Sequence, residues 1–233
     1  NITANFLRVL YFAGRIEELE RVVEEEEWIF DDPNCTFVLG MIALDQGKTD
    51  EAEKWLTVSI TVNEENPHAH SLLAHAIVND VEQRLANDPP LDWRMPLEIR
   101  DRLTKADEHL ERALGKLKEY ENASVFHDPL ILRSHVLRML GKENEALQIC
   151  ERVLSVEPTH AEALKHKGQL LLMKRRADEA FECFQKLSAE EATERIVISL
   201  AQAHREKKEY KRVIDLLSQY WEPSSSGRRQ LII

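Results

Sequence analysis

Gly40, Ala52, Leu56 and Ser59 are separated by 12, 4 and 3 residues, and Gly168, Ala180, Phe184 and Leu187 repeat that spacing unchanged. Ser134, Ala146, Cys150 and Val153 repeat it again, with Pro158 closing the unit five residues later. Weaker copies are Leu7, Leu19, Val23, Glu26 and Ala201, Val213, Leu217, Tyr220. A further copy is interrupted, with Ile77 on one helix and Ala106, Leu110 and Ala113 on its partner. Steps of four and three join neighbours on one helix face. The last three residues of each copy therefore share a helix, and the twelve-residue step crosses a turn from the helix before it. Gly14, Gly47 and Gly141 stand five residues before the Ala-type position, where a tight interhelical turn favours glycine. Ala-type positions recur at intervals of 33, 54, 40, 34 and 33 residues, which places a repeat architecture ahead of every other fold class.

Prolines punctuate the copies. Asp32-Pro33, Asn66-Pro67 and Asp128-Pro129 each place a capping residue before proline at the first helical position. Thr159, with Glu162 three residues on, predicts a capping-box start. The units so predicted span about 1–32, 33–69, 70–126, 127–160, 161–193 and 194–223, leaving 224–233 as a linker or the start of a further helix. The 54-residue interval contains an insertion at 86–96, where Pro89, Pro90 and Pro96 preclude a continuous helix. Helical periodicity resumes at Leu97 and runs to about Tyr120. Leu91, Trp93 and Met95 in this insertion read either as a partner-binding prong or as a plug folded back on the array.

The pattern resembles the tetratricopeptide repeat (TPR) family, whose 34-residue unit is a pair of antiparallel helices. Gly40, Gly168, Ala52, Ala146 and Ala180 match its close-approach positions, and Leu56, Phe184 and Leu217 its bulky ones. Leu19 and Val213 depart from it, standing where alanine is usual. The resemblance implies an all-α, right-handed superhelical solenoid of about six hairpins, with an insertion in the third and a concave surface lined by each leading helix. It also implies a protein-interaction scaffold that holds a peptide or partner segment in the groove. Helical phase points Asp128, Ile131, His135, Arg138 and Met139 into that groove from the fourth unit. The fifth contributes Glu162, Lys165, Gln169, Leu172 and Met173, and the sixth Arg195, Ile198, Gln202, Arg205 and Glu206. His135, Arg138, Lys165, Gln169, Gln202 and Arg205 form a polar, net-basic set suited to an acidic segment or carboxylate. Phe37, Met41 and Leu44, followed by Ala74 and Val78, form an apolar half-groove suited to an amphipathic helix. The chaperone-tail clamp of Lys-Asn-Asn-Lys-Arg found in some members is not reproduced, because Phe37, Met41 and His75, or Ile131, His135 and His166, stand at its positions.

Charge sharpens the partner question. Formal charge is −11, and residues 1–66 alone carry −10, whereas 161–233 carry +3. The acidic balance argues against a phosphate backbone as partner, and no stretch is long and apolar enough for a membrane span. The run Glu24-Glu25-Glu26-Glu27 reads as a solvated helix face or as a dock for a basic partner. Cys35, Cys150 and Cys183 fall in apolar helical runs, consistent with packing and with a cytoplasmic setting. His68, His70 and His75 do not converge on one helix face as zinc ligands. With no phosphate loop, nucleophile elbow or zinc-protease motif, neither enzymatic activity, a cofactor nor a metal is expected. Alternatives are an arm of a larger enzyme, since the chain reads as a piece of a longer protein, and self-association through end units near Phe6 and Phe12 or Leu231-Ile232-Ile233.

Overall fold

The computed structural model describes residues 2–89, 95–117, 124–187, 198, 201, 204–205 and 208–220. Every regular element among them is helical. They fall into two compact units, Asn1–Lys142 and Glu143–Ile233, each described by itself. The first contains α1 (Ile2–Phe12), α2 (Ile16–Glu25), a 3-10 turn (Glu27–Asp31), α3 (Pro33–Asp45), α4 (Thr49–Val62), α5 (Pro67–Asn87), α6 (Leu97–Lys116) and α7 (Ser124–Met139). The second contains α8 (Glu143–Val156), α9 (Ala161–Met173), α10 (Ala177–Gln185) and α11 (Tyr210–Tyr220). The unit boundary falls inside the hairpin predicted over 127–160.

The turns obey one rule. Gly14, Gly47, Gly141, Arg175 and Lys208, all at the same repeat position, have φ between 60° and 77°. In each, the N–H of that residue bonds to the carbonyl three back, and the next N–H to the carbonyl five before it, as Gly47 to Leu44 and Lys48 to Ala43. This is the Schellman closure, which satisfies the final helix carbonyls at the cost of one left-handed residue. Glycine meets no steric penalty there; Arg175 and Lys208 do.

Close approach explains the small residues. A Cβ on Gly40 would lie 2.5 Å from Leu56 Cγ, and one on Gly168 would lie 2.3 Å from the Phe184 ring. Ala52, Ala106, Ala146 and Ala180 are wholly buried, as are Leu56 and Leu110. Leu73, Ala76, Ile77, Val81, Leu103, Leu110 and Val136 join α4, α5, α6 and α7 in one core, while Leu7, Leu10, Cys35, Leu39 and Ile42 join α1 and α3 in another. In the second unit, Leu164, Leu171, Ala180 and Phe184 pack α9 against α10. Each such leucine contributes roughly 2 kcal/mol through burial.

Two capping predictions hold. Asp32 accepts the N–H groups of Asn34 and Cys35 at 2.8 and 2.9 Å, and Asn66 those of His68 and Ala69 at 3.1 and 3.3 Å. Two others are corrected. Helix α7 begins at Ser124, so Pro129 lies inside it and Asp128 is no cap; only the hydrogen bond back to Val125 is forgone there, early in the helix. Helix α9 is capped by His160, whose Nδ1 accepts from the Ala163 N–H at 3.3 Å, not by Thr159. Helical extension on both sides of the insertion accounts for much of the 54-residue interval. Helix α5 has 21 residues against 13 in α3, and α6 has 20 against 14 in α4; α6 starts at Leu97 as predicted and ends at Lys116, short of Tyr120.

Candidate partner-binding surface

In the first unit the leading helices α1, α3, α5 and α7 pack successively, each against the next. Their groove positions form a stripe that hairpin packing leaves partly open. Phe37, Met41 and Leu44 on α3 are half-buried, and Phe37 packs into both cores of the unit. The predicted apolar half-groove is smaller than expected, because Ala74 and Val78 are buried in the α5–α6 core. Ile131 is buried likewise.

Polar pairs cross the stripe between helices. The Tyr11 hydroxyl on α1 donates to the Asp45 carboxylate on α3, and this bond holds the phenol above its usual range. On α7, His135 Nε2 lies 2.9 Å from Glu82 Oε1 on α5, and its Nδ1 accepts from Arg138 at 3.1 Å. Burial and the Arg138 guanidinium hold the His135 imidazole below its usual range, against the opposing pull of Glu82. With Nδ1 accepting from arginine, the neutral ring carries its proton on Nε2 and donates it to Glu82. His135 and Arg138 are thus brought together. Tyr11, Asp45 and Glu82 were not among the predicted residues; carrying the helical phase back into α1 and forward along α5 would have found them.

In the second unit, Lys165 and Gln169 are half-buried on α9, and Lys165 is paired with Glu162 at 2.8 Å. Leu172 packs against the core and Met173 is exposed. Arg205 is exposed; Gln202 lies outside the described residues. Trp93 and Leu91 also lie outside them, while Met95 packs against the α5–α6 core.

Candidate chemistry elsewhere resolves into packing and ion pairs. Cys35, Cys150 and Cys183 are buried thiols. Burial, helped by Asp32, pushes the Cys35 thiol up to about 11, far from the thiolate a nucleophile requires. His70 is buried with Nδ1 2.8 Å from His109 Nδ1 and Nε2 2.9 Å from the Glu64 carbonyl, while His68 and His75 are exposed. In the second unit, Asp178, His204 and Glu209 bring possible ligand atoms within 4.8 Å of one another. His204 Nδ1 already bonds Glu209 at 2.6 Å, and Arg212 pairs with both Asp178 and Glu209, so an arginine balances these carboxylates. Among the described residues no helix is long and apolar enough to cross a membrane.

Helix α1 leaves Ile2, Phe6, Val9 and Phe12 exposed. Ile2, Phe6 and Val9 occupy the repeat positions at which α3 buries Cys35, Leu39 and Ile42 against the hairpin before it.

No family model matches the sequence, and no curated protein does. Solved structures do. The chain is similar to TTC0263, a thermophilic TPR protein of Thermus thermophilus, at 20% identity over 92% of this chain and 96% of that one, with a TM-score of 0.56. It is similar to YrrB, a TPR protein with an unusual peptide-binding site, at 14% identity over 86% and 89%, with a TM-score of 0.57. It also matches the APC/C hetero-tetramer Cut9–Hcn1 at 18% identity over 92% of this chain and 38% of that one, with a TM-score of 0.60.

Proposed function

We propose that this chain, whose fold is that of the tetratricopeptide-repeat proteins, is a non-catalytic protein-interaction scaffold that holds a peptide or partner segment along its leading helices. The observation that carries this reading is the half-open stripe. Stacking leaves leading-helix side chains partly exposed in each unit: Phe37 and Met41 on α3 and His135 and Arg138 on α7 in the first, and Lys165 and Gln169 on α9 in the second. Side chains fixed on packed helices are presented in place, so the partner bears most of the ordering entropy. Gln202 and Arg205 belong to the same set on helical phase, and Trp93 joins it as the partner-binding prong of the insertion.

The preferred partner is an acidic segment in extended or helical form. It must displace Glu162 from Lys165 and compete with Glu82 near Arg138, so its affinity arises from exchange of ion pairs. The test is a pull-down with the chain beside an Arg138→Glu, Lys165→Glu, Arg205→Glu variant of unchanged helicity. A partner captured by the first and lost by the second supports the reading; equal capture contradicts it.

The exposed α1 stripe favours a second reading, self-association by stacking of hairpins on that face. Sedimentation of the chain and a Phe6→Glu variant tests it, with a concentration-dependent dimer expected for the first alone.

A further inference from the structure

Helix α2 closes on α1 and the 3-10 turn, whereas its counterpart α4 closes on the following helix α5. A cleft of about 330 Å³ is left between α2 and the α3–α4 hairpin. Its presence has a local cause. Leu19 stands at the repeat position held by Ala52, Ala106, Ala146 and Ala180, and a leucine there cannot be approached as closely as an alanine. The floor is apolar, with Leu19, Leu39, Ile42 and Ala43 buried beneath half-buried Ile16 and Val23. Trp55 closes one end, stacked on Phe30 at 5.0 Å between ring centroids.

The rim is acidic. Glu20 and Glu24 project from α2, one turn apart, and Glu51 faces them from α4 with Lys48 beside it. Among the described residues these three carboxylates make no ion pair. Elsewhere in the same unit buried and half-buried carboxylates are matched: Asp80 by Arg84 and Arg102, Asp107 by Arg133, Glu53 by Arg102. The cleft also lies in the section that carries −10 of the chain's −11 formal charge. None of the residues of the proposed leading-helix stripe lines it.

We propose that this cleft docks a basic amphipathic helix of a partner protein. Its leucine-type side chains enter over Leu39 and Ile42, and its Lys or Arg side chains pair with Glu20, Glu24 and Glu51. An apolar floor beneath unpaired like charges favours that chemistry on both counts: burial supplies affinity, and the carboxylates select the sign and speed the encounter. An acidic or neutral helix meets repulsion or leaves three carboxylates partly desolvated without partners.

The test uses a fluorescent 18-residue helix of leucine and lysine with one apolar face, and its leucine–glutamate counterpart, read by anisotropy. The proposal expects the lysine peptide to bind, with affinity falling as salt rises, and the glutamate peptide not to bind. A Glu20→Lys, Glu24→Lys, Glu51→Lys variant is expected to weaken binding at least tenfold. A control variant, Glu108→Lys, Glu145→Lys, Glu182→Lys, changes net charge equally at exposed positions away from the cleft and is expected to weaken it less than threefold. Equal weakening by both variants means bulk acidity alone attracts the peptide and overturns the proposal. So does absence of binding, or binding indifferent to the cleft variant. If the chain instead self-associates and the cleft variant abolishes that, the occupant is a second copy, and the assignment to a partner protein is overturned.

Discussion

The hairpins α3–α4 and α5–α6 begin alike and end differently. At their bases the same repeat positions are filled by Ala52 and Leu56 in one and Ala106 and Leu110 in the other, all wholly buried. Beyond that base α5 and α6 continue for about two further turns, where Val81 and Ile99 extend the apolar core and ion pairs are added to it. Asp80, largely buried, bonds Arg84 Nε at 2.8 Å and Arg102 Nη2 at 2.9 Å; Arg102 reaches Glu53 on α4 at 2.7 Å and Arg84 reaches Glu98 at 3.1 Å. The difference teaches where a repeat tolerates insertion. Added turns at the tip leave the stacking phase untouched, and an ion-pair network ties them to the neighbouring hairpin alongside an extension of the same apolar core.

The comparison breaks first at the bases. Leu56→Ala and Leu110→Ala should each cost about 3 kcal/mol in chemical denaturation, and by the same amount within error; a difference above about 1 kcal/mol would mean the shared phase does not imply shared packing. At the tip, Asp80→Ala removes the carboxylate between two arginines. It should cost about 2 kcal/mol, with no matching loss from Asp45→Ala on α3, and thermal melts of both variants measure this.

Acid sharpens it further, through the opposite end of the α5–α6 hairpin. His70 must donate its Nε2 proton to the Glu64 carbonyl, so its Nδ1 accepts from His109 Nδ1. Burial, then His70 and Arg112, lower the His109 imidazole to about 4. The depressed value means the folded state binds fewer protons than the unfolded one between about pH 6.5 and 4. Stability is therefore complete above pH 6.5 and falls as pH drops through that window. The full shift corresponds to about 3 kcal/mol, and partial exposure of the ring brings the expected loss to about 2 kcal/mol. Denaturation of the chain and of His109→Phe at pH 7.5 and pH 4.5 is the measurement, with a smaller loss expected in the variant. The smallest effect lies in a turn: Arg175→Gly relieves a left-handed arginine and should stabilise by about 0.5 kcal/mol, where Gly141→Ala destabilises.

The fold was legible because its repeat is written in side-chain volume. Gly40 against Leu56 and Gly168 against Phe184 are contacts that 12-residue and 4-residue steps announce without coordinates. Turn glycines were equally plain, and Arg175 and Lys208 show that the backbone keeps the position even when the residue does not. The start of α7 was not legible, because Asp128-Pro129 carries a strong helix-start signal that an early in-helix proline can mimic. The stripe was half legible. Phase placed His135 beside Arg138, but one helix's phase does not encode the tertiary packing that buries Ala74, Val78 and Ile131 or that brings Glu82, on the added turns of α5, to His135.

The central claim is that the peptide or partner segment of the proposed function is held by the leading helices of the hairpins. The most direct measurement places a photo-reactive amino acid singly at Met41, His135 or Lys165, and at Thr57 or Glu182 on second helices, then identifies cross-linked chains by mass spectrometry. The account predicts one partner cross-linked from the first three positions and absent from the other two. Cross-links to it from Thr57 or Glu182, with none from the stripe, would contradict it.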